Sequence, residues 1–450
     1  MSAAAARRIF ICVQGLIDVG DSIGFDAIHQ WRTLTAQFGD RAEVRLFCER
    51  FDTKLHPGIP AEPIHRFREA IAANPDAMIV YHFCDGWAAF EDRVIAGRYP
   101  NLVVRWHNNT PPWFLAKYST RHFKGTVNGY HAILRLARET ECRFWCNSGF
   151  TARQLAVLGI ERQRADVVFP ASRYLDAPLR APAPAAASAA SRALPRRIVF
   201  VGRIVPHKGH RHIILTAAYA RKFLGMPLRV AFAGRFDWRV RLYREELIAL
   251  ARALDVDVEF TDEVQDARLD QLYLSADAFL CLSEHEGFGL PIFEAMRAGI
   301  PALAWTATAT ADLMAGHPLS SDALSPRWFA AALAVLQYPE LRDYVVRWQN
   351  DNALPRYTAS VVAEQLAGAV TGIERSADAA PAPYRDSRLD QAIRDRIGAF
   401  LAQIGTGTIA EEAALPREIP DNFVTLYDIE AYRSLRRTGK FGRALARWRN

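Results

Sequence analysis

Short apolar runs alternate with segments of helical periodicity along most of this chain. Residues 9–13, 44–47, 77–81, 102–106 and 143–146 are runs of the length expected for strands buried on both faces, and the stretches between them read as helices. That alternation predicts parallel strands joined by crossover helices. Ser148 follows the last run and precedes a helical segment containing Thr151 and Leu155, so it is placed as a helix N-cap. Residues 177–196 then fall to mostly Ala, Pro and Ser, too little side chain for a core, and read as a linker. A second series follows at 197–201, 229–233, 257–260, 278–282 and 302–305, and a second Pro/Ala-rich break at 377–383 sets off a C-terminal extension. The expected organisation is an α/β domain over 1–176, the linker 177–196, a second α/β domain over 197–375, and a mainly helical extension over 385–450 ending in a basic tail. Two halves of similar size are a coarse duplication, and no solenoid-length period runs through them.

Composition changes this picture in three ways. The 450 residues carry 56 Lys plus Arg against 49 Asp plus Glu, a formal charge of +7. Seven basic residues (Arg433, Arg436, Arg437, Lys440, Arg443, Arg447 and Arg449) lie in the last eighteen positions with no acidic residue among them, which leaves the rest of the chain formally neutral. The basicity belongs to a tail, and no nucleic-acid groove is implied. Within that tail Phe441, Leu445 and Trp448 stand at helical spacing among arginines, a membrane-surface pattern that Gly439 and Gly442 weaken, and a solvated or packed tail is the other reading. Lysine is scarce: only Lys54, Lys117, Lys124, Lys208, Lys222 and Lys440 occur, so each invites a reason. The six cysteines are scattered, and a chain of this length needs no disulfide staples, which fits a reduced cytosol. Cys142 and Cys146 have the wrong gap for a metal-binding pair. The stretch 9–13 after Arg7 and Arg8 is too short for a signal peptide or a membrane span and reads as the first strand.

The segment richest in chemistry is Ser283-Glu284-His285-Glu286-Gly287-Phe288-Gly289-Leu290-Pro291-Ile292-Phe293-Glu294, continuing to Gly299. Pro291 suits the start of a helix and Gly299 its end, so a strand should turn through glycines into a short helix whose N-terminus favours an anion such as a diphosphate. Glu294 leans back toward that N-terminus, on the side of Glu286, and two carboxylates beside an anion site suit a ligand with a ribose, a phosphate and a sugar. Alone, Glu294 would read as a helix-dipole partner and Glu286 as a solvated charge. A second segment, Phe200-Val201-Gly202-Arg203 followed by His207-Lys208-Gly209, closes the first strand of the same domain. It puts Arg203 and Lys208 at a strand's carboxyl end, where open α/β sheets bind ligands. Two cations there could neutralise a leaving diphosphate.

Together these residues resemble the donor domain of family-4-type retaining glycosyltransferases over roughly residues 197–370. In the N-terminal half, Gly20-Asp21-Ser22-Ile23-Gly24 after the first strand and Arg105-Trp106-His107-Asn108-Asn109 after a later one resemble a bacterial polysaccharide or lipopolysaccharide branch. The resemblance implies an α/β GT-B fold, two Rossmann-like domains facing across a cleft. It also implies a nucleotide-diphosphate-sugar donor, a saccharide or lipid-linked saccharide acceptor, no cofactor and no metal; the cysteine usage and the tail pattern, in turn, set the expectation of a cytoplasmic protein with peripheral contact through 433–450 at the inner face of the plasma membrane. By the same carry-over Glu294 holds the ribose and Glu286 the transferred sugar. Arg203 and Lys208 stabilise the diphosphate, Gly287, Phe288 and Gly289 offer backbone donors, and Gly20 and Gly24 form a loop at the diphosphate with Asp21 nearby.

His107 sits where the family has a histidine near the sugar, and a histidine satisfied at a strand end is the other reading of it. Two departures stand out. Asn108 replaces a common acidic residue, and 306–312 lacks the usual glycine-bearing turn with a glutamate. Asp255-Val256-Asp257 resembles the metal-binding motif of the other glycosyltransferase fold but enters a strand instead of leaving one. Two competing activities fit the same scaffold: a nucleotide-sugar epimerase, and a silent nucleotide-sugar-binding protein. A nicotinamide dehydrogenase does not, since no G-x-G-x-x-G follows the first strand of either half.

Overall fold

The computed structural model describes residues 7–18, 20–83, 85–175, 197–372, 384–414 and 423–437. The chain forms two compact units. One gathers Met1–Leu175, Thr358–Asp378 and Phe423–Asn450, and the other gathers Asp176–Tyr357 and Ala379–Asn422.

The first unit is built on seven strands, β1 (Arg7–Leu16), β2 (Ala42–Phe51), β3 (Ala61–Pro63), β4 (Met78–Phe83), β5 (Leu102–Trp106), β6 (Arg143–Cys146) and β7 (Ala165–Val167). They pair in parallel in the order β3-β2-β1-β4-β5-β6-β7. Side chains of a strand alternate between faces, and β1 shows the consequence. Ile9, Ile11 and Val13 join one buried cluster while Phe10 and Cys12 join another, so both faces are covered. The helix Ser22–Phe38 that follows β1 is capped by Asp21, whose carboxylate accepts from the N–H groups of Ile23 and Gly24. Ser148 caps the helix Gly149–Val157 in a reciprocal pair with Thr151.

The second unit repeats the plan with β8 (Arg197–Val201), β9 (Arg229–Ala233), β10 (Asp257–Asp262), β11 (Ala278–Cys281), β12 (Ala302–Trp305) and β13 (Ser320–Ser321), parallel in the order β10-β9-β8-β11-β12-β13. Asp257 opens β10 at its amino end, with Asp255 just before it.

The helix Ala359–Thr371 lies on the first sheet, so the second unit stops at Tyr357, short of the expected 375. Its Leu366 and Val370 enter the cluster of Ile9 and Ile11, each worth about 1.5–3 kcal/mol of burial. Gln365 accepts from the Phe169 N–H at 3.0 Å, and Arg7 Nη1 donates to the Val370 carbonyl at 2.7 Å.

The residues expected to form one C-terminal extension also divide. The helix Ser387–Ile404 packs on the second unit, where Tyr344 donates to the buried Asp390 carboxylate at 2.7 Å. The helix Leu426–Arg437 belongs to the first unit. Gln154 clamps the Val424 backbone through Nε2 to its carbonyl (2.7 Å) and Oε1 to its N–H (2.8 Å), and Tyr432 meets Phe123 edge-on at 5.2 Å. Each helix has one apolar stripe and buries it in its own unit, Ser387–Ile404 against the helices His210–Leu224 and Pro326–Val335 and Leu426–Arg437 against Thr120–Glu139. The expected linker 177–196, the break at 377–383 and the apolar positions Phe441, Leu445 and Trp448 lie outside the described residues. Among the described residues no helix is long and apolar enough to cross a membrane.

Candidate active site

In both sheets the strand order reverses once, between β1 and β4 and between β8 and β11. The chain leaves neighbouring strands there in opposite directions, which opens a crevice at their carboxyl ends. Most of the residues singled out from sequence collect at these two places.

At the second reversal, the turn Pro206–Lys208 follows β8 and the loop 282–289 follows β11. The two are stitched together: the His207 carbonyl accepts from the N–H groups of Glu284 (2.8 Å) and His285 (3.3 Å). Gly209 makes this possible. Its φ is +67°, and a Cβ there would lie 1.8 Å from the Leu282 carbonyl oxygen. The turn thereby brings Lys208 Nζ to 2.7 Å from Glu286 Oε1, an ion pair with side chains 16% and 10% exposed.

Glu286 is held by a third segment as well, since its N–H donates to Thr308 Oγ1 at 2.9 Å and its carbonyl accepts from Ala309 at 3.4 Å. Glu294 lies buried in the helix Leu290–Arg297 and accepts from the Tyr273 hydroxyl at 2.8 Å. Gly289 caps that helix at φ +100°, Pro291 sits in its first turn, and Gly299 at φ +73° follows its end. Gly287 is half-buried in the same loop. The Phe288 ring is structural, packed against Phe293 and Tyr357. Arg203 is exposed, and its side chain makes no ion pair among the described residues. Burial, with Lys208 beside it, holds His207 well below the usual histidine range, so it adds no charge.

At the first reversal His107 follows β5 and meets a network of buried polar groups. Its Nε2 is 3.1 Å from Nδ1 of His82 in β4, and His82 Nε2 is 3.2 Å from Gln30 Oε1. Asp26, one helical turn before Gln30, accepts from Gln30 Nε2 (3.1 Å), Arg105 Nε (2.8 Å) and the Ala171 N–H (2.9 Å). Arg105, wholly buried in β5, also donates to the Val168 carbonyl at 2.6 Å. Burial alone would raise the Asp26 carboxyl, but the adjoining guanidinium overrides it and holds the group well below the carboxylate range. Burial pushes His82 down to about 3 and His107 likewise well below the usual range, and Arg105 adds to both shifts. Ligand atoms of Asp26, His82 and His107 all lie within 4.8 Å of one another, a grouping the sequence reading missed. The i, i+4 pair Asp26 and Gln30 on the helix after β1 was the available signal. Asn108 takes φ +72°, a left-handed conformation that asparagine tolerates better than most residues.

The glycines after β1 differ from expectation. Gly24 lies inside the first turn of the helix Ser22–Phe38, not in a loop, because Asp21 caps that helix and starts it at Ser22. The Gly24 N–H donates to Asp21 Oδ2 (3.1 Å) and the Gly20 N–H to Asp18 Oδ1 (2.8 Å), so both face carboxylates rather than an open anion site.

Residues 187–315 match the family model described as glycosyl transferases group 1. The chain is 32% identical over 185 residues to GDP-mannose:cellobiosyl-diphosphopolyprenol alpha-mannosyltransferase of Komagataeibacter xylinus, covering 40% of this chain and 46% of that one. It is 35% identical over 169 residues to D-inositol 3-phosphate glycosyltransferase of Nocardia farcinica, covering 36% and 37%. The chain thus spans less than half the length of these curated relatives. Among solved structures, Anabaena HepE in complex with UDP and glucose superposes with a TM-score of 0.63 at 17% identity, over 82% of this chain and 100% of that one. WaaG, a glycosyltransferase of lipopolysaccharide biosynthesis, superposes at 0.57 and 15%, over 81% and 100%. At these identities the structural likeness is one of fold.

Proposed function

We propose that this chain, which has the GT-B fold and a glycosyl transferases group 1 segment, moves a sugar with retention of configuration from a nucleoside-diphosphate sugar to a saccharide or lipid-linked saccharide in cell-surface glycan assembly. The observation that carries this reading is the Lys208–Glu286 pair with Glu294 close by on the following helix, at the strand-order reversal of the second sheet. Lys208 and Arg203 neutralise the diphosphate as the sugar's anomeric carbon–oxygen bond breaks. Glu286, aligned by Lys208 and Thr308, accepts hydrogen bonds from sugar hydroxyls, and Glu294 accepts them from the ribose. The acceptor oxygen bonds to the anomeric carbon from the face the diphosphate leaves, and its proton passes to the departing phosphate, so no side-chain base is required. The protein's share is positioning and charge stabilisation. The reaction runs without a metal, and the basic tail from Arg433 onward holds the enzyme at an anionic cytoplasmic leaflet.

The test is a panel of nucleotide sugars, including UDP-glucose and GDP-mannose, offered with and without saccharide acceptors to the purified protein. Nucleotide release that depends on acceptor, survives a chelator, and falls at least about a hundredfold in Lys208→Ala and Glu286→Ala with the fold intact is expected. Near wild-type turnover in either variant refutes the assignment. Isomerised donor without acceptor would point to an epimerase instead.

A further inference from the structure

The helix Arg241–Ala253 and the turn Trp238–Val240 that leads into it depart from the usual pattern of a surface helix. Val240, Tyr243, Leu247 and Ala251 form their buried stripe at helical spacing. The opposite side should be polar, yet it carries Trp238, 68% exposed, and Leu242, 44% exposed, four positions apart. Among the described residues these are the two large apolar side chains that the second unit exposes, and they stand together. Single apolar residues scattered over a surface need no explanation, whereas a tryptophan and a leucine gathered on one turn form a patch with a use.

Arginine surrounds the pair. Arg239 lies over the indole, its Cζ 5.4 Å from the ring centroid, and pairs with Asp237 at 3.1 Å. Arg235 and Arg241 are exposed before and after the turn. The carboxylates nearby are mostly committed, Asp237 to Arg239, Glu246 to Arg211 and Asp262 to Arg244, which also lies over the Phe236 and Phe260 rings. Glu245 is the exposed acidic group that remains on this stretch. An indole has an apolar body and a polar N–H, which suits the boundary between hydrocarbon and water. Leucine adds apolar depth beside it, and guanidinium groups meet anionic headgroups while their stems lie along apolar surface. A sugar or a base stacked on the indole would leave Leu242 unused, and Arg239 already covers part of the ring.

We infer that Trp238 and Leu242, flanked by Arg235, Arg239 and Arg241, dock the second unit on the surface of an anionic lipid bilayer, as a contact separate from the basic tail. The surface stands without the transferase reading, which supplies its use. Residues 234–236 run alongside the turn that carries Arg203: the Arg235 carbonyl accepts from the Ile204 N–H at 3.0 Å, and a Cβ on Gly234 would lie 2.2 Å from the Gly202 carbonyl oxygen. Docking there holds the carboxyl end of the second sheet at headgroup level, where the reacting end of a lipid-linked saccharide lies.

Sedimentation of the full chain with vesicles of phosphatidylcholine, with and without about one third phosphatidylglycerol, measures the partition directly. Binding to the anionic vesicles is expected to weaken as salt rises and to exceed binding to the neutral ones at least about tenfold. Trp238→Ala with Leu242→Ala should lower the partition about tenfold or more, and so should Arg235→Gln with Arg241→Gln. Thermal unfolding should not move in the first of these variants, since both side chains are exposed already. Trp238→Phe should keep binding within about threefold and remove part of the tryptophan quenching produced by brominated lipid. An undiminished partition in the Trp238 and Leu242 double variant, equal binding to neutral vesicles, or a loss confined to Arg443→Gln, Arg447→Gln and Arg449→Gln overturns the proposal. Self-association of the wild type that the double variant abolishes also overturns it, by giving the patch to a second copy of the chain. With a water-soluble acceptor the double variant should transfer sugar within about twofold of wild type, and a larger loss refutes a docking role. Vesicle binding that follows these expectations in a protein that transfers no sugar supports the docking surface and overturns the transferase reading.

Discussion

Acidification should loosen the second unit more steeply than the first. His207, His210 and His317 are all buried in the second unit, and burial holds all three below the usual histidine range, His210 at about 3 and His317 at about 4. His317 shows the local reason. Its Nδ1 accepts from the Leu319 N–H at 3.0 Å while Nε2 donates to Gln349 Oε1 at 3.1 Å, so a second proton would displace the Leu319 bond. An unfolded histidine titrates near pH 6.5, so below that value the unfolded chain binds protons that the native state refuses. Stability is therefore full above about pH 6.5 and is lost as pH falls, at a limiting slope of about 1.4 kcal/mol per pH unit for each such histidine. Three of them give about 4 kcal/mol per pH unit for the second unit, against about 3 for His82 and His107 in the first. His317 alone acts from about 6.5 down to about 4, roughly 3 kcal/mol in all. Domains are stable by about 5–15 kcal/mol, so the second unit should approach unfolding near about pH 5. Urea midpoints followed by tryptophan fluorescence between about pH 7.5 and pH 5 check this, with His317→Gln expected to flatten the second unit's pH slope by about a third. Midpoints that hold steady across that range, or a variant slope equal to wild type, would refute the reasoning.

Gly209→Ala should cost about 3 kcal/mol or more in urea unfolding and abolish transfer, because its Cβ would lie 1.8 Å from the Leu282 carbonyl oxygen at a left-handed φ. Gln154→Leu leaves the Val424 carbonyl and N–H without their buried partner, and hydrogen exchange at Val424 and Ile429 should quicken by about tenfold or more while the second unit is unaffected. Tyr273→Phe removes the hydroxyl that donates to Glu294, and donor KM should rise about three- to tenfold with little change in thermal stability.

The strands legible to the residue were those buried on both faces. The runs 102–106, 143–146, 197–201, 229–233 and 302–305 coincide with β5, β6, β8, β9 and β12, because a continuous apolar run has no other place to go. The short strands β3, β7 and β13 lacked such a run and were missed. Periodicity marks a helix but does not say which unit it packs on, which is why Ala359–Thr371 was expected with the second domain and the two C-terminal helices were expected to form one extension. In the site, the Lys208 and Glu286 motifs carried their own signal. Tyr273, Thr308 and His82 carried none, since each matters only through a neighbour brought close by strand order, and Gln30 showed only its i, i+4 spacing from Asp26. Gly24 misled because glycine after a strand suggests a loop, and the capping power of Asp21 decided otherwise.

The chain path alternates between the units, with the first completed by Thr358–Asp378 and Phe423–Asn450. During synthesis the first unit is therefore begun first and finished last. Until Leu366 and Val370 emerge, the nascent sheet offers part of one greasy face to solvent, and Gln154 waits some 270 positions for Val424. The growing chain should lean on chaperones longer than its length suggests, and a cut after Leu175 would yield an unfinished body instead of an autonomous one.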